Sequence, residues 1–245
     1  MSVFPTKPLG HKSYGSIGHL PGSRMDANHK KYATGKVSGE DFGVHEGQAA
    51  ICTIKSRDKH DTIIVQEKVD GSNVAVANID GVVTPLIRAG YPAVSSKYEQ
   101  HRLFAAWVFE RTELFAWLKP GERLCGEWLA QAHGTRHDLV GRSPFVAFDL
   151  IRGHDRALYR ELTERATGVE IVPLLSMGRP ISIHEAMTLL GSGRYGSIDP
   201  PEGCVWRVER HGKVDFLAKY VRPEKVDGCY LPEMSGKEAV WNWRP

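Results

Sequence analysis

Gln66-Glu67-Lys68-Val69-Asp70-Gly71-Ser72-Asn73 places a lysine two residues before an aspartate, just ahead of a stretch that alternates like a strand. A lysine at a strand edge is one of the few side chains that can bond covalently to a nucleotide phosphate. For that it must lose its proton, and a free lysine titrates near about 10.4. Neighbouring cations or a metal have to depress that value. A triphosphate also needs charge neutralisation by lysines, arginines or carboxylate-held magnesium. The base needs a stacking ring and the ribose a polar anchor. The letters Glu-Lys-Val-Asp-Gly recur at Glu224 to Gly228. The second lysine, Lys225, follows Pro223, precedes no alternating strand and lies beyond every other candidate block. It reads as an exposed turn, so Lys68 is the expected nucleophile.

Downstream of Lys68 the chain supplies partners for such chemistry in a set order. Arg88 lies in Leu86-Ile87-Arg88-Ala89-Gly90, and Glu127 in Cys125-Gly126-Glu127-Trp128. Phe148 and Asp149 end Phe145-Val146-Ala147-Phe148-Asp149. Glu202 opens Glu202-Gly203-Cys204-Val205-Trp206-Arg207. Lys219 lies in Phe216-Leu217-Ala218-Lys219-Tyr220. Each falls on or beside an expected strand, so the set is expected to line one cleft between sheets.

The elements that must hold these residues are legible in part. Ile63-Ile64-Val65 predicts a buried strand entering the Lys68 loop. Val74, Val76 and Ile79 predict a second strand that ends at Asp80-Gly81, a hairpin turn dipeptide, with Val82 to Arg88 returning. Leu103, Trp107, Leu114 and Leu118 share one face of a helix expected over 97–118, closed by Pro120-Gly121. Further strands are expected over 124–129, 145–151, 204–208 and 214–220. A surface helix is expected around 155–167. Ser182-Ile183-His184-Glu185 is a capping box opening a helix that runs to Gly191. Residues 1–45 lack periodicity and read as loops wrapping the domain. Strands joined by hairpin turns with few helices favour an α+β fold of antiparallel sheets.

Composition sets outer bounds. The 245 residues are 41% hydrophobic and 25% charged, which is ordinary for a globular chain able to build its own core. A net charge of +3 with a pI near 8.6 is compatible with a nucleic-acid partner without requiring one. Cys52, Cys125, Cys204 and Cys229 form no Cys-x-x-Cys pair, which argues against a zinc site or disulfide framework. The N-terminus lacks a signal-peptide core, and no apolar run approaches the roughly 18 residues of a membrane span. A cytoplasmic location and no membrane partner are expected.

Several signals read as decoys. Gly191-Ser192-Gly193-Arg194-Tyr195-Gly196 fits Gly-x-Gly-x-x-Gly but follows a helix rather than a strand, so a loop is expected. His133 and His137 have helical spacing, yet Gly134 argues against a helix. Trp241 and Trp243 suit a domain edge or base stacking.

The ordered blocks resemble motifs I, Ia, III, IIIa, IV and V of the covalent nucleotidyltransferase superfamily, which holds polynucleotide ligases and mRNA capping enzymes. Lys68-Val69-Asp70-Gly71 resembles its Lys-x-Asp-Gly nucleophile motif. Asn73 extends the match to the Lys-x-x-Gly-x-Asn pattern of the RNA-ligase branch that seals nicks in duplex RNA. The Glu202-Gly203 and Ala218-Lys219 blocks also resemble that branch, and the resemblance spans about residues 63–222.

The resemblance implies an ATP-dependent RNA ligase acting through lysyl-AMP. Lys68 would attack the α-phosphate of ATP and expel pyrophosphate. Lys219 would contact that phosphate and help depress the pKa of Lys68. Arg88 and Glu127 would hold the ribose, and Phe148 would stack on adenine. Glu67, Asp70, Gly71 and Asn73 of the nucleophile block would complete the nucleotide site. Glu202 would help place magnesium (or manganese), with Asn73 assisting through a water. Val221 stands where the family commonly has a second lysine, and Arg222 is the candidate replacement. The partner would be RNA ends or a nicked duplex, with DNA an alternative; a protein partner is unspecified. A minimal DNA ligase and a catalytically silent nucleic-acid-binding relative stay open. One adenylyltransferase domain is expected over 1–245: an N-terminal extension (1–45), a core (46–222) and a tail (223–245) without an OB-fold. Gly22-Ser23-Arg24 and Lys30-Lys31 are candidate contacts to nucleic-acid phosphates.

Overall fold

A computed structural model describes residues 6–24 and 42–245; Lys30 and Lys31 lie outside them. Along the chain the elements run β1 (Gly18–His19), α1 (Glu46–Thr53), β2 (Asp61–Lys68), β3 (Ser72–Ile79), β4 (Val82–Ile87), α2 (Glu99–Phe109) and β5 (Glu122–Trp128). There follow β6 (Phe145–Arg152), β7 (Asp155–Arg156), α3 (Tyr159–Arg165), β8 (Leu174–Gly178), α4 (Ile183–Leu190), β9 (Gly203–Arg210), β10 (Lys213–Val221) and α5 (Pro232–Ser235).

The strands form two five-stranded sheets, ordered β1-β10-β9-β2-β8 and β4-β3-β5-β6-β7. Every pairing is antiparallel except β1 with β10. The α+β expectation therefore holds. The chain leaves the first sheet at Lys68 and enters the second at Ser72. The loop carrying the candidate nucleophile is thus the crossover between the sheets.

Each sheet has its own apolar backing. The second packs Val74, Val76, Leu124, Trp128 and Phe145 against Phe104, Trp107 and Val108 of α2. The first packs Ile63, Val65, Trp206 and Val208 against α1 and α4 through Ile51, Ala186 and Leu190. An ion pair ties the sheets together: Arg207 of β9 donates to Asp149 of β6 at 2.6 Å, with side chains 2% and 0% exposed. Asp149 also accepts from Arg156 at 2.7 Å.

The helix expected over 97–118 ends early, at Phe109. The next two positions on its buried stripe are Arg111 and Thr112, which extend no apolar face. Arg111 instead donates back to the Trp107 carbonyl at 3.2 Å, and Thr112–Phe115 forms a 3-10 turn. At α4, Ser182 accepts from the Glu185 amide at 3.1 Å as a capping residue does. The Glu185 carboxylate accepts from Arg179 rather than closing the box. The cysteines are all free. No described helix is long and apolar enough to cross a membrane.

Candidate active site

Lys68 is the last residue of β2 and aligns with Gly203, the first of β9. That register sets Glu202 beside it, and Lys68 Nζ lies 2.6 Å from Glu202 Oε2. The turn that follows needs a glycine. A Cβ on Gly71 would stand 2.6 Å from the Trp128 carbonyl and from Leu129, so only a bare backbone fits between β2 and β5. Val69 is buried with Leu129, Val146 and Val172 and pins the loop from below.

Around Lys68 the two sheets open into a cleft of about 460 Å³. Its wall includes Arg88, Asn73, Glu127, Phe148 and Lys219, brought from different strands of both sheets. Asn73 and Glu127 are cross-strand partners on β3 and β5, with Asn73 Nδ2 3.4 Å from Glu127 Oε1. Arg88 donates from its amide to the Asn73 carbonyl at 3.1 Å and from Nη2 to Ser16 Oγ at 3.0 Å. Lys219 lies opposite Val205 in the β9–β10 ladder, and both border the cleft.

The electrostatics are dominated by carboxylates. Burial alone would lower the Lys68 amine, but Glu202, Glu127 and Asp70 outweigh it and hold the ammonium form well above its ordinary range. Burial pushes Glu127 up to about 8, against the opposing pull of Lys68. Glu202 is also raised, by burial first. Glu127 Oε2 and Asn73 Oδ1 are buried acceptors without a hydrogen-bond partner. Such acceptors suit a donor or a cation. Among the described residues no cluster of three or more His, Cys, Asp or Glu side chains is built to hold a metal by itself. One or two carboxylates, water and substrate phosphates suffice for magnesium. Asn73 Oδ1 is one of the unpartnered acceptors, and the Glu202 carboxylate beside Lys68 is of the ligand type magnesium takes.

The other expected site residues sort into two groups. Asp70 does not reach into the cleft's wall; its Oδ2 accepts from the Gly134 amide at 2.8 Å and from Lys225 Nζ at 2.6 Å. Glu67 borders the cleft, but its Oε2 accepts from the Arg194 amide at 2.9 Å. That bond seats the Gly191–Gly196 segment, a packed loop rather than a dinucleotide site. Arg222 departs from expectation. Its guanidinium donates to the carbonyls of Pro201 and Pro200 at 2.5 and 3.0 Å, and it does not line the cleft. The adjacent prolines offer carbonyls that no strand ladder uses, and they capture it.

Sequence reasoning missed several wall residues. Tyr14 comes from the N-terminal stretch and meets Phe148 edge to face at 5.0 Å between ring centroids. Arg207 and His101 line the cleft as well. His101 bridges Ser72 Oγ at 2.8 Å and Ser96 Oγ at 2.7 Å. Burial, aided by His133, pushes its imidazole down to about 4. Lys225, read as an exposed turn, is only 3% exposed. His133 and His137 do not form a pair: the first contacts Gln100 Oε1, the second the Tyr195 carbonyl. Trp243 packs against Trp128, and Trp241 sits under Arg244. Ser23 accepts from the Val221 amide, and Arg24 pairs with Asp227.

No curated protein matches the chain at a significant level. Among solved structures, an archaeal ATP-dependent RNA ligase (form 2) is similar at 20% identity and a TM-score of 0.42, over 66% of this chain and 43% of that one. Form 1 of that ligase gives 21% identity and a TM-score of 0.41, with the same coverage. A mutant of Naegleria gruberi RNA ligase with ATP and Mn is similar at 16% identity and a TM-score of 0.49, over 96% of this chain and 64% of that one. The chain thus spans less than two thirds of the length of these structures. The model of the RNA ligase family matches residues 61–221, from the first residue of β2 to the last of β10. That span takes in Lys68, Arg88, Glu127, Phe148, Glu202 and Lys219, and with it the chain belongs to the RNA ligase family.

Proposed function

We propose that the chain is an ATP-dependent RNA ligase, or the adenylyltransferase domain of one, working through AMP bound covalently to Lys68. The observation that carries this reading is Lys68 on the wall of an inter-sheet cleft with its Nζ held 2.6 Å from Glu202. Lys219, Arg88 and Phe148 line the same cleft. The core is assigned to residues 46–222, with the N-terminal stretch adding Tyr14 and Gly15 to the nucleotide wall.

In the first step the Lys68 amine attacks the α-phosphorus. A nitrogen–phosphorus bond forms, the bond to the pyrophosphate oxygen breaks, and the lysine nitrogen loses its proton. Lys68 starts as an ammonium paired with Glu202, so it gives up one proton before attack, with Glu202 Oε2 the acceptor within reach, and a second leaves to solvent as the nitrogen–phosphorus bond forms. Lys219 supplies positive charge to the α-phosphate, and Arg88 and Glu127 anchor the sugar. Phe148, braced by Tyr14, offers its face to adenine. Glu202 and Asn73 would hold magnesium or manganese, which when bound neutralises phosphate charge. In the second step AMP passes from Lys68 to an RNA 5′-phosphate. In the third a 3′-hydroxyl attacks that phosphate and AMP leaves.

The test is incubation with labelled ATP and a divalent cation. Label retained on protein, and lost in Lys68→Ala, is the expected result. Absence of acid-labile label at any pH or metal concentration would overturn the assignment. Nicked RNA, nicked DNA and single-stranded ends offered in parallel then identify the polynucleotide.

A further inference from the structure

The second Glu-Lys-Val-Asp-Gly returns to the first. Lys225 Nζ contacts Asp70 Oδ2 at 2.6 Å and Thr135 Oγ1 at 2.5 Å, so the lysine of one copy holds the aspartate of the other. The Lys225 side chain is 1% exposed and that of Asp70 is 14%. Burial alone would raise the Asp70 carboxyl, yet Lys225 keeps it below the usual range.

The path of the lysine is fitted to its target. A Cβ on Gly134 would stand 2.8 Å from Lys225 Nζ and 2.5 Å from the Val226 carbonyl, so position 134 has to be bare. The same stretch is tied elsewhere at the site. The Arg222 amide donates to the Glu202 carbonyl at 3.0 Å, and the Tyr230 amide to the His133 carbonyl at 2.8 Å. Residues 222–230 therefore touch the Glu202 segment, the loop after Lys68 and the cleft-lining His133.

A buried ion pair is a poor device for stability alone. Replacing such a pair by apolar side chains of like volume is often neutral or stabilising. What it supplies is direction: the carboxylate can sit in one place only. Asp70 is two residues from Lys68, in the crossover between the sheets, where a small rotation would swing the amine away from the α-phosphate.

We propose that Lys225 is a positioning residue for the Lys68 loop, and that residues 222–230 are a working part of the adenylation site. Lys225 acts through Asp70 and does not itself touch the nucleotide. The catalytic half of this proposal rests on the function proposed above; the structural half does not.

Two readouts separate the halves. The first is the single-turnover rate of self-adenylation at saturating ATP, per folded molecule, in wild type, Lys225→Met, Asp70→Asn, the double variant and Lys225→Arg. Residues sharing a buried charge network are strongly coupled. Lys225→Met is expected to slow the step by roughly tenfold or more, with a smaller change in the ATP concentration at half saturation. The double variant is expected to be no slower than the worse single, and Lys225→Arg to recover part of the rate. The second readout is amide hydrogen exchange, which needs no activity. Lys225→Met is expected to speed exchange at 69–73 and 133–135 while leaving β5 and β6 unchanged.

A wild-type rate in Lys225→Met, additive losses in the double variant, or unaltered exchange at 69–73 would each overturn the proposal. If wild type takes no label, the functional reading fails while exchange still decides the strut. Should Lys225→Met not fold, Thr135→Val removes one contact only, and an unchanged rate and exchange there would count against the proposal equally.

Discussion

In the first copy of Glu-Lys-Val-Asp-Gly the lysine ends a strand and borders a cleft, its side chain 22% exposed and paired with Glu202. In the second copy the lysine follows a proline turn, points inward, and is 1% exposed and paired with Asp70. The letters are the same and the N···O distance in each pair is 2.6 Å. What differs is what else can reach the pair. Lys68 borders a cleft that Arg88, Arg207 and Lys219 also line, which on the proposed function lets a phosphate replace the carboxylate. Lys225 and Asp70 are closed in by Thr135, Gly134 and Val226, and nothing of that size can enter. On the proposed function one pair is exchanged during catalysis and the other stays. A short motif does not choose between these fates; its surroundings do.

Arginine substitution sharpens that contrast most. A guanidinium keeps the charge but stays protonated and is no nucleophile. Lys68→Arg is therefore expected to abolish protein labelling by ATP, whereas Lys225→Arg keeps a measurable rate. Equal loss in both variants would break the distinction.

Asp149 and Arg207 provide a second pair of the holding kind, between the two sheets, with Arg207 also on the cleft wall. Breaking a buried pair by removing one partner leaves an uncompensated charge. Asp149→Asn is expected to lower unfolding free energy by about 3–5 kcal/mol in denaturant titration. A loss below about 1 kcal/mol would show that buried pairs in this fold do not hold the sheets together.

Glu122 offers a holding group read through pH. It is 2% exposed; burial would raise its carboxyl, but Arg165 and Arg152 bring it down from 4.5 to about 2. A depressed folded-state value contributes stability that is full above the unfolded value. It is lost as pH falls from about 4.5 towards about 2. Glu122→Gln is expected to remove on the order of 3 kcal/mol at neutral pH and to flatten the acid limb of the stability curve. An unchanged acid limb would contradict the assignment.

The smallest effect is expected where a pair is neither exchanged nor enclosed. Arg160 and Glu164 pair on α3 with side chains 82% and 58% exposed. Arg160→Ala is expected to leave the denaturant midpoint unchanged within error. A measurable loss would mean that burial does not separate holding pairs from idle ones.

The sequence disclosed what depends on local chemistry and order. Lys68, Arg88, Glu127, Phe148 and Lys219 line one cleft, with Glu202 paired to Lys68, because each lies on or beside a strand whose alternation is visible. The Asp80-Gly81 hairpin was legible for the same reason: both residues take positive φ, at 49° and 89°. What stayed hidden depends on long-range placement. Lys225 meets Asp70 across 155 positions, and no local pattern announces that. Arg222 has the charge of a replacement cation, but the carbonyls of Pro200 and Pro201 hold it. Strand β8 was missed because it lies at a sheet edge, with Leu174 and Met177 exposed, and shows no clean alternation. Tyr14 sits in a stretch without periodicity and gains its role only from Phe148.

Which lysine carries AMP is decided most directly by one measurement. The protein is incubated with ATP and a divalent cation, digested, and sequenced by tandem mass spectrometry. Fragment ions separate the two copies because Ser72-Asn73 follows the first and Cys229-Tyr230 the second. One AMP is expected on Lys68 and none on Lys225. AMP on Lys225, or on neither lysine while the protein is labelled, would contradict the assignment of Lys68.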